Sequence, residues 1–174
     1  TKGKMTFPKE PVTDIVLKQL EKGLEPYPEG VFLSFGCEPL LKENVANTLA
    51  VIRLLRGYSI RVAVLSKMGV LDIDDFEIRH GATIVSLSDD FAEKYEPGAV
   101  HPQVRLTELI CASESGNYTW SSIEPYPCPT IFKQDLKPFL EQLNFVDFMI
   151  FGKWNYDDRG NTPEAKQFYK PAFP

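Results

Sequence analysis

The chain has 174 residues, 43% of them hydrophobic and 25% charged, which fits one ordinary globular domain and excludes a disordered chain. The net charge is −5 with both signs interspersed, and no basic block is long enough to read as a duplex-binding surface, although a local patch around a cleft stays open. No apolar run approaches the ~20 residues of a membrane span and no signal peptide precedes the first helix, so a soluble cytoplasmic protein without membrane contact is expected.

In chain order, the first predicted element is a helix over Thr13 to Leu24. Val12, Ile15, Val16, Leu20 and Leu24 repeat at three-to-four spacing, with Thr13 as its N-cap. "EPYPEG" breaks the chain, and "GVFLSFG" then reads as a continuously apolar strand over 30–36. Glu43 to Leu55 is the clearest helix, with Val45, Leu49, Ile52 and Leu55 on one face and Gly57 as its stop. Strands are predicted at 60–66 and 82–88, the latter ending at Ser86 or Ser88, then a helix from Pro102 to Ser113. A strand at 118–123, a helix from Ile131 to Leu143 interrupted at Pro138, a strand at 146–152 and a short helical segment from Thr162 complete the chain.

Apolar strands alternating with helices build a parallel sheet by right-handed crossovers. The fold class is therefore α/β in one domain over residues 1–174, either an open wound sheet or part of a (β/α) barrel. In both, ligands bind outside the carboxyl ends of the strands, which here present "FGCEP", "LSKMG", "SLSDD", "SSIEP" and "FGKWN". Glu38 can accept hydrogen bonds from an ammonium group, or serve only as a helix-entry carboxylate; Pro39 fixes its loop. Lys67 can pair with a carboxylate or phosphate, or be a solvated lysine at a strand end. Ser86 and Ser88 alternate with Leu87, and the pattern does not decide which faces a barrel lumen. Lys153, Trp154 and Asn155 offer a charge, a ring and an amide, or a simple aromatic cap.

Other chemistries lack their motifs: there is no GxGxxG, P-loop, HExxH or GxSxG. His80 and His101 have no ligand partner at helical spacing, so no metal site is expected from this chain. Cys37, Cys111 and Cys128 form no close pair and read as packed free thiols rather than as a disulfide framework or zinc knuckle.

Taken together, "FLSFGCEPLL", "VLSKMG", "IVSLSDDFAEKYEPGAVHPQVRL", "WSSIEPYPCP" and "FMIFGKWNYD" resemble the radical S-adenosylmethionine superfamily, in its spore photoproduct lyase-like branch. The most specific elements are Tyr95-Glu96-Pro97-Gly98-Ala99 followed by Arg105-Leu106, and the resemblance spans roughly Ile15 to Tyr169. It implies a partial (β/α) barrel of about five parallel strands with flanking helices, missing the first strand, with S-adenosylmethionine across the strand ends. Gly36, Cys37, Glu38 and Pro39 are then implied at the methionine amino group, and Lys67 and Ser86 near its carboxylate or ribose. Arg105 is implied as partner of that carboxylate or of Glu96, and Ser122, Glu124 and Asn155 as base-edge and substrate-facing contacts. Nucleic acid enters as a partner only by family analogy.

The departure is in the cysteines. The family holds a 4Fe–4S cluster on Cys-x3-Cys-x2-Cys in the loop after its first strand, and no such spacing occurs here. The resemblance thus implies a piece of a radical enzyme core, inactive alone, whose cluster ligands are not in this chain. Two alternatives are a degenerate relative that binds a nucleotide or partner without radical chemistry, and an unrelated α/β binding domain. A five-stranded parallel sheet also leaves an uncovered edge, where self-association or a partner chain is expected.

Overall fold

In the computed structural model, which describes residues 11–22, 30–33, 38–73, 77–155 and 157–170, five strands form one sheet. They are β1 (Val31–Leu33), β2 (Val62–Ser66), β3 (Ile78–Thr83), β4 (Thr119–Tyr126) and β5 (Phe148–Lys153). Every neighbouring pair is parallel and the spatial order equals the chain order, β1-β2-β3-β4-β5. A wound open sheet reverses its order at a switch point; this one does not, so right-handed crossovers put the connecting helices on one face. The fold is a half-barrel of the (β/α) type.

The helices are α1 (Val12–Glu21), α2 (Val45–Gly57), α3 (Asp89–Tyr95), α4 (Pro102–Glu114), α5 (Leu136–Glu141) and α6 (Pro163–Tyr169), with a 3-10 turn at Asp158–Asn161. Val51, Ile52 and Leu55 of α2 pack on Val62, Val64 and Ile78, with Val16 and Leu20 of α1 laid over them. Leu106 and Leu109 of α4 and Phe139 of α5 pack on Ala82, Ile123, Met149 and Phe151. These strand residues share one side of the pleat, so that side is the helix-covered face.

The other face is concave. Phe32 on β1 and Trp120 on β4 meet edge-on with ring centroids 5.5 Å apart, although two strands stand between them. In a flat sheet those strands would be about 14 Å apart. Curvature towards this face, and the reach of both rings, closes the gap.

Several boundaries differ from the sequence pattern. The third strand is Ile78–Thr83 rather than 82–88. Its residues Arg79, His80 and Gly81 hide the strand from a hydrophobicity reading, while Ile84 and Val85, past its end, are buried in helix and aromatic packing. Helix α3 was not expected; Ser88 at its N-cap and Asp89 and Asp90 in its first turn favour it through the helix dipole. Helix α5 starts only after Asp135, whose side chain accepts the Lys137 N–H, so Pro138 lies in the first turn, where a missing N–H costs nothing. Helix α1 begins after Pro11 rather than at Thr13. Strand β4 extends past Ile123 through a cis Glu124–Pro125 peptide and a register shift to Tyr126. No helix among the described residues is long and apolar enough to cross a membrane.

Candidate functional site

At the carboxyl ends of β1 and β2 the chain is held by side chains bonding to backbone. The Ser66 Oγ accepts the Met68 N–H at 2.7 Å, closing the turn as β2 ends. Glu38 reaches across from the loop after β1: its Oε2 accepts the Lys67 N–H at 2.9 Å and its Oε1 the Leu40 N–H at 3.3 Å. The loop is fixed from behind, because Thr48 donates to the buried Pro39 carbonyl at 2.7 Å and the Asn44 amide donates to the Glu38 carbonyl at 2.8 Å. Glu38 thus ties two strand ends together, which is more than the helix-entry role.

From Lys67 the charges continue inward. Its Nζ lies 2.9 Å from Glu96 Oε1, at the end of α3, and Glu96 Oε2 pairs with Arg105 Nη2 from the second turn of α4. Arg105 Nη1 donates to the Thr83 carbonyl at the end of β3. The Glu96 and Arg105 side chains are 2% and 0% exposed, so the pair is a true buried ion pair, whereas the Lys67 side chain keeps 27% of its surface. Charges this deep persist only when paired, and here the Lys67–Glu96 pair joins the β2 unit to the β3 unit that carries both Glu96 and Arg105. Arg105 arrives in place because α4 opens with Pro102 behind His101, whose Nδ1 accepts the Gln103 N–H while Nε2 contacts Asp89 at 3.0 Å. In the neutral ring that arrangement puts the proton on Nε2.

On the concave face the strand register sets layers. Leu65, Gly81, Trp120 and Phe148 lie in one row, and Thr83, Ser122 and Ile150 in a row nearer the carboxyl ends. Trp120 lies flat across Gly81, where a β-carbon would come within 2.4 Å of its ring, and its Nε1 donates to the Arg79 carbonyl at 3.3 Å. Glu124 lies over Gly152 in the same way, its carboxylate filling the place of the missing β-carbon. The face is therefore aromatic towards the amino ends of the strands and polar towards the rim.

Beyond β5 an aromatic cluster closes the rim. Val85, Phe91, Cys128, Trp154, Ala165 and Tyr169 are buried together, with Tyr95 edge-on to Trp154 at 5.2 Å. The Tyr169 hydroxyl donates to the Tyr126 carbonyl at 2.6 Å and accepts the Trp154 N–H at 3.2 Å. Burial pushes the phenols of Tyr126 and Tyr169 above the ordinary tyrosine value. Outside, the Arg159 guanidinium stands 5.4 Å from the Tyr95 ring and 5.5 Å from that of Trp154, anchored by Asp157 at 2.7 Å. Its hydrogen bonds hold the Asp157 carboxyl well below the usual carboxylate range.

The sequence-selected residues divide accordingly. Glu38, Pro39, Lys67 and Arg105 converge at the ends of β1 to β3. Ser122 is buried and Glu124 exposed on the concave face at β4. Ser86 is buried and turned to its own loop, its Oγ accepting the Ser88 N–H at 3.2 Å. Asn155 is exposed after β5, and Gly36 and Cys37 lie outside the described residues. Thr83, Arg159 and the glycines Gly81 and Gly152 were overlooked; a glycine inside a strand is itself a sign of close approach and could have marked both. Cys111 is exposed on α4 while Cys128 is buried beside Val85 and Phe91, so these two thiols do not belong to one three-thiolate set. Among the described residues no three His, Cys, Asp or Glu side chains converge as metal ligands.

The chain matches no protein-family model, no curated protein and no solved structure.

Proposed function

We propose that the chain is a cofactor-binding core of the radical S-adenosylmethionine type, photoproduct lyase-like, that holds the amino-acid end of its cofactor between β1 and β2 and performs no radical cleavage alone. The observation that carries this reading is the Glu38 carboxylate accepting the Lys67 backbone N–H, which fixes these two residues on adjacent strand ends. A carboxylate and a lysine side chain carried on adjacent strand ends, the lysine ammonium held by Glu96, match the zwitterionic head of an amino acid with its charges reversed. Glu38 accepts from the ligand ammonium, and Lys67 offers donors from a partly exposed side chain to the ligand carboxylate. Glu96 and Arg105 set the Lys67 position and do not touch the ligand. Ser122 and Glu124 supply polar contacts for the nucleoside on the concave face.

S-adenosylmethionine, when bound and reduced, is a source of a carbon-centred radical. That reduction uses a 4Fe–4S cluster on three neighbouring thiolates, and Cys111 and Cys128 do not fit that arrangement. The described residues thus support binding and orientation, not electron delivery.

Calorimetry with S-adenosylmethionine, S-adenosylhomocysteine and adenosine tests the reading. The first two are expected to bind, and Lys67→Gln to weaken them about tenfold, the equivalent of one charge-assisted hydrogen bond. Adenosine, which has no amino-acid head, is expected to lose nothing in that variant. Equal losses for all three, or no binding of any, removes the proposal in favour of a non-catalytic interaction module.

A further inference from the structure

A second cluster of cations stands at the far end of the same rim, at β5. Lys153 ends β5, and Lys166 and Lys170 lie one turn apart on and just after α6. With Gly160, Asn161 and Tyr169 they line a cavity of about 250 Å³. No carboxylate lines it. Among the described residues, none of the three ammonium groups has an ion pair or hydrogen bond, and neither does the Asn161 amide.

The cavity is built rather than incidental. Gly160 lets the 3-10 turn dock on the Trp154 carbonyl, where a β-carbon would come within 2.2 Å, and this brings Asn161 beside the end of β5. Tyr169 forms the floor, with its hydroxyl fixed by Tyr126 and Trp154. Like charges one helical turn apart repel, and a third at the same opening adds to that. In a chain of net charge −5, three unpaired cations around one opening are a local reversal of sign.

We infer that this cavity binds the phosphate dianion of a phosphomonoester. Three flexible ammonium groups act as point charges around a compact oxyanion, and the Asn161 amide adds a donor. The volume is below the ~300 Å³ at which pockets for whole drug-sized ligands begin, so it takes a head group. A dianion balances three cations better than the single charge of a phosphodiester, and the acidic remainder of the chain gives no track for a polyanion. This site is independent of the Glu38–Lys67 reading, since S-adenosylmethionine carries no phosphate.

The test is calorimetry and phosphorus NMR on the full chain with inorganic phosphate, a 5′-nucleoside monophosphate, and a single-stranded oligonucleotide lacking terminal phosphates. Phosphate and the monophosphate are expected to bind, the monophosphate more tightly as pH rises through about 6, where the second proton of a monoester leaves. Lys166→Gln with Lys170→Gln is expected to weaken both about tenfold or more, while Lys166→Arg with Lys170→Arg retains binding. All these positions are exposed, and unchanged circular dichroism confirms folding. No phosphate binding, or equal binding by the glutamine variant, overturns the inference; tighter binding of the oligonucleotide overturns the monoester assignment.

Discussion

At the scale of single residues, the Glu96–Arg105 pair is where one substitution should matter most. Glu96→Gln leaves the fully buried Arg105 guanidinium without its counter-charge, and a loss of about 3–5 kcal/mol in urea unfolding is expected. Glu96→Leu with Arg105→Leu removes both charges and should cost less than the single change, because no unpaired charge remains. Equal losses would mean that packing, not charge, dominates. These positions also show what the sequence reveals about the site. Glu38, Lys67 and Arg105 stand out because each polar residue follows an apolar run or opens a helix. Their pairings do not, since Lys67 and Glu96 belong to different βα units and meet only once β2 and β3 are aligned. Ser86 has the same surface signature but is consumed by its own turn, a local bond that competes with any ligand role.

At the scale of elements, the glycines govern how the concave face is filled. Gly81 has no room for a side chain, because Trp120 occupies the volume one would take. Gly81→Ala should therefore cost about 1–3 kcal/mol through overpacking and shift Trp120 fluorescence, as the ring is displaced towards Phe32. An unchanged emission maximum with normal stability would refute that account. Boundaries were legible where one periodicity dominated, as in α2 and β2. They were misread where burial and strand geometry part company. Ile84 and Val85 are as apolar as any strand, yet their burial comes from α4, α5 and the aromatic cluster after β3 has ended. Arg79 is tolerated inside β3 because its guanidinium lies over the Tyr118 ring at 5.0 Å. Such tertiary contacts leave no mark in a local window.

At the scale of the whole molecule, a half-barrel has two lateral edges, and among the described residues β1 and β5 carry no outer partner. Phe148, 52% exposed, lies on β5 at the concave face. An unpaired strand edge beside an exposed aromatic favours association between copies. Sedimentation is expected to show concentration-dependent dimers that Phe148→Lys weakens; a monomer at all concentrations would mean the edges are covered. The α/β class, strand number and parallel sense were legible from the βα rhythm. That rhythm alone left barrel-type and wound sheet open, because the choice depends on spatial order; the partial barrel that the resemblance implied is the one observed.

That order has a consequence for how the chain reaches its structure. Each strand pairs only with the one before and the one after it, from Val31 beside Val62 to Trp120 beside Phe148. No strand must wait for a distant one to complete its ladder. During synthesis, each βα unit can dock on its predecessor as it emerges, so assembly runs in the direction of translation. The energetic coupling is between neighbours, as in a solenoid. The Lys67–Glu96–Arg105 chain ties the second and third units and so acts as a latch that closes only after α4 has been made.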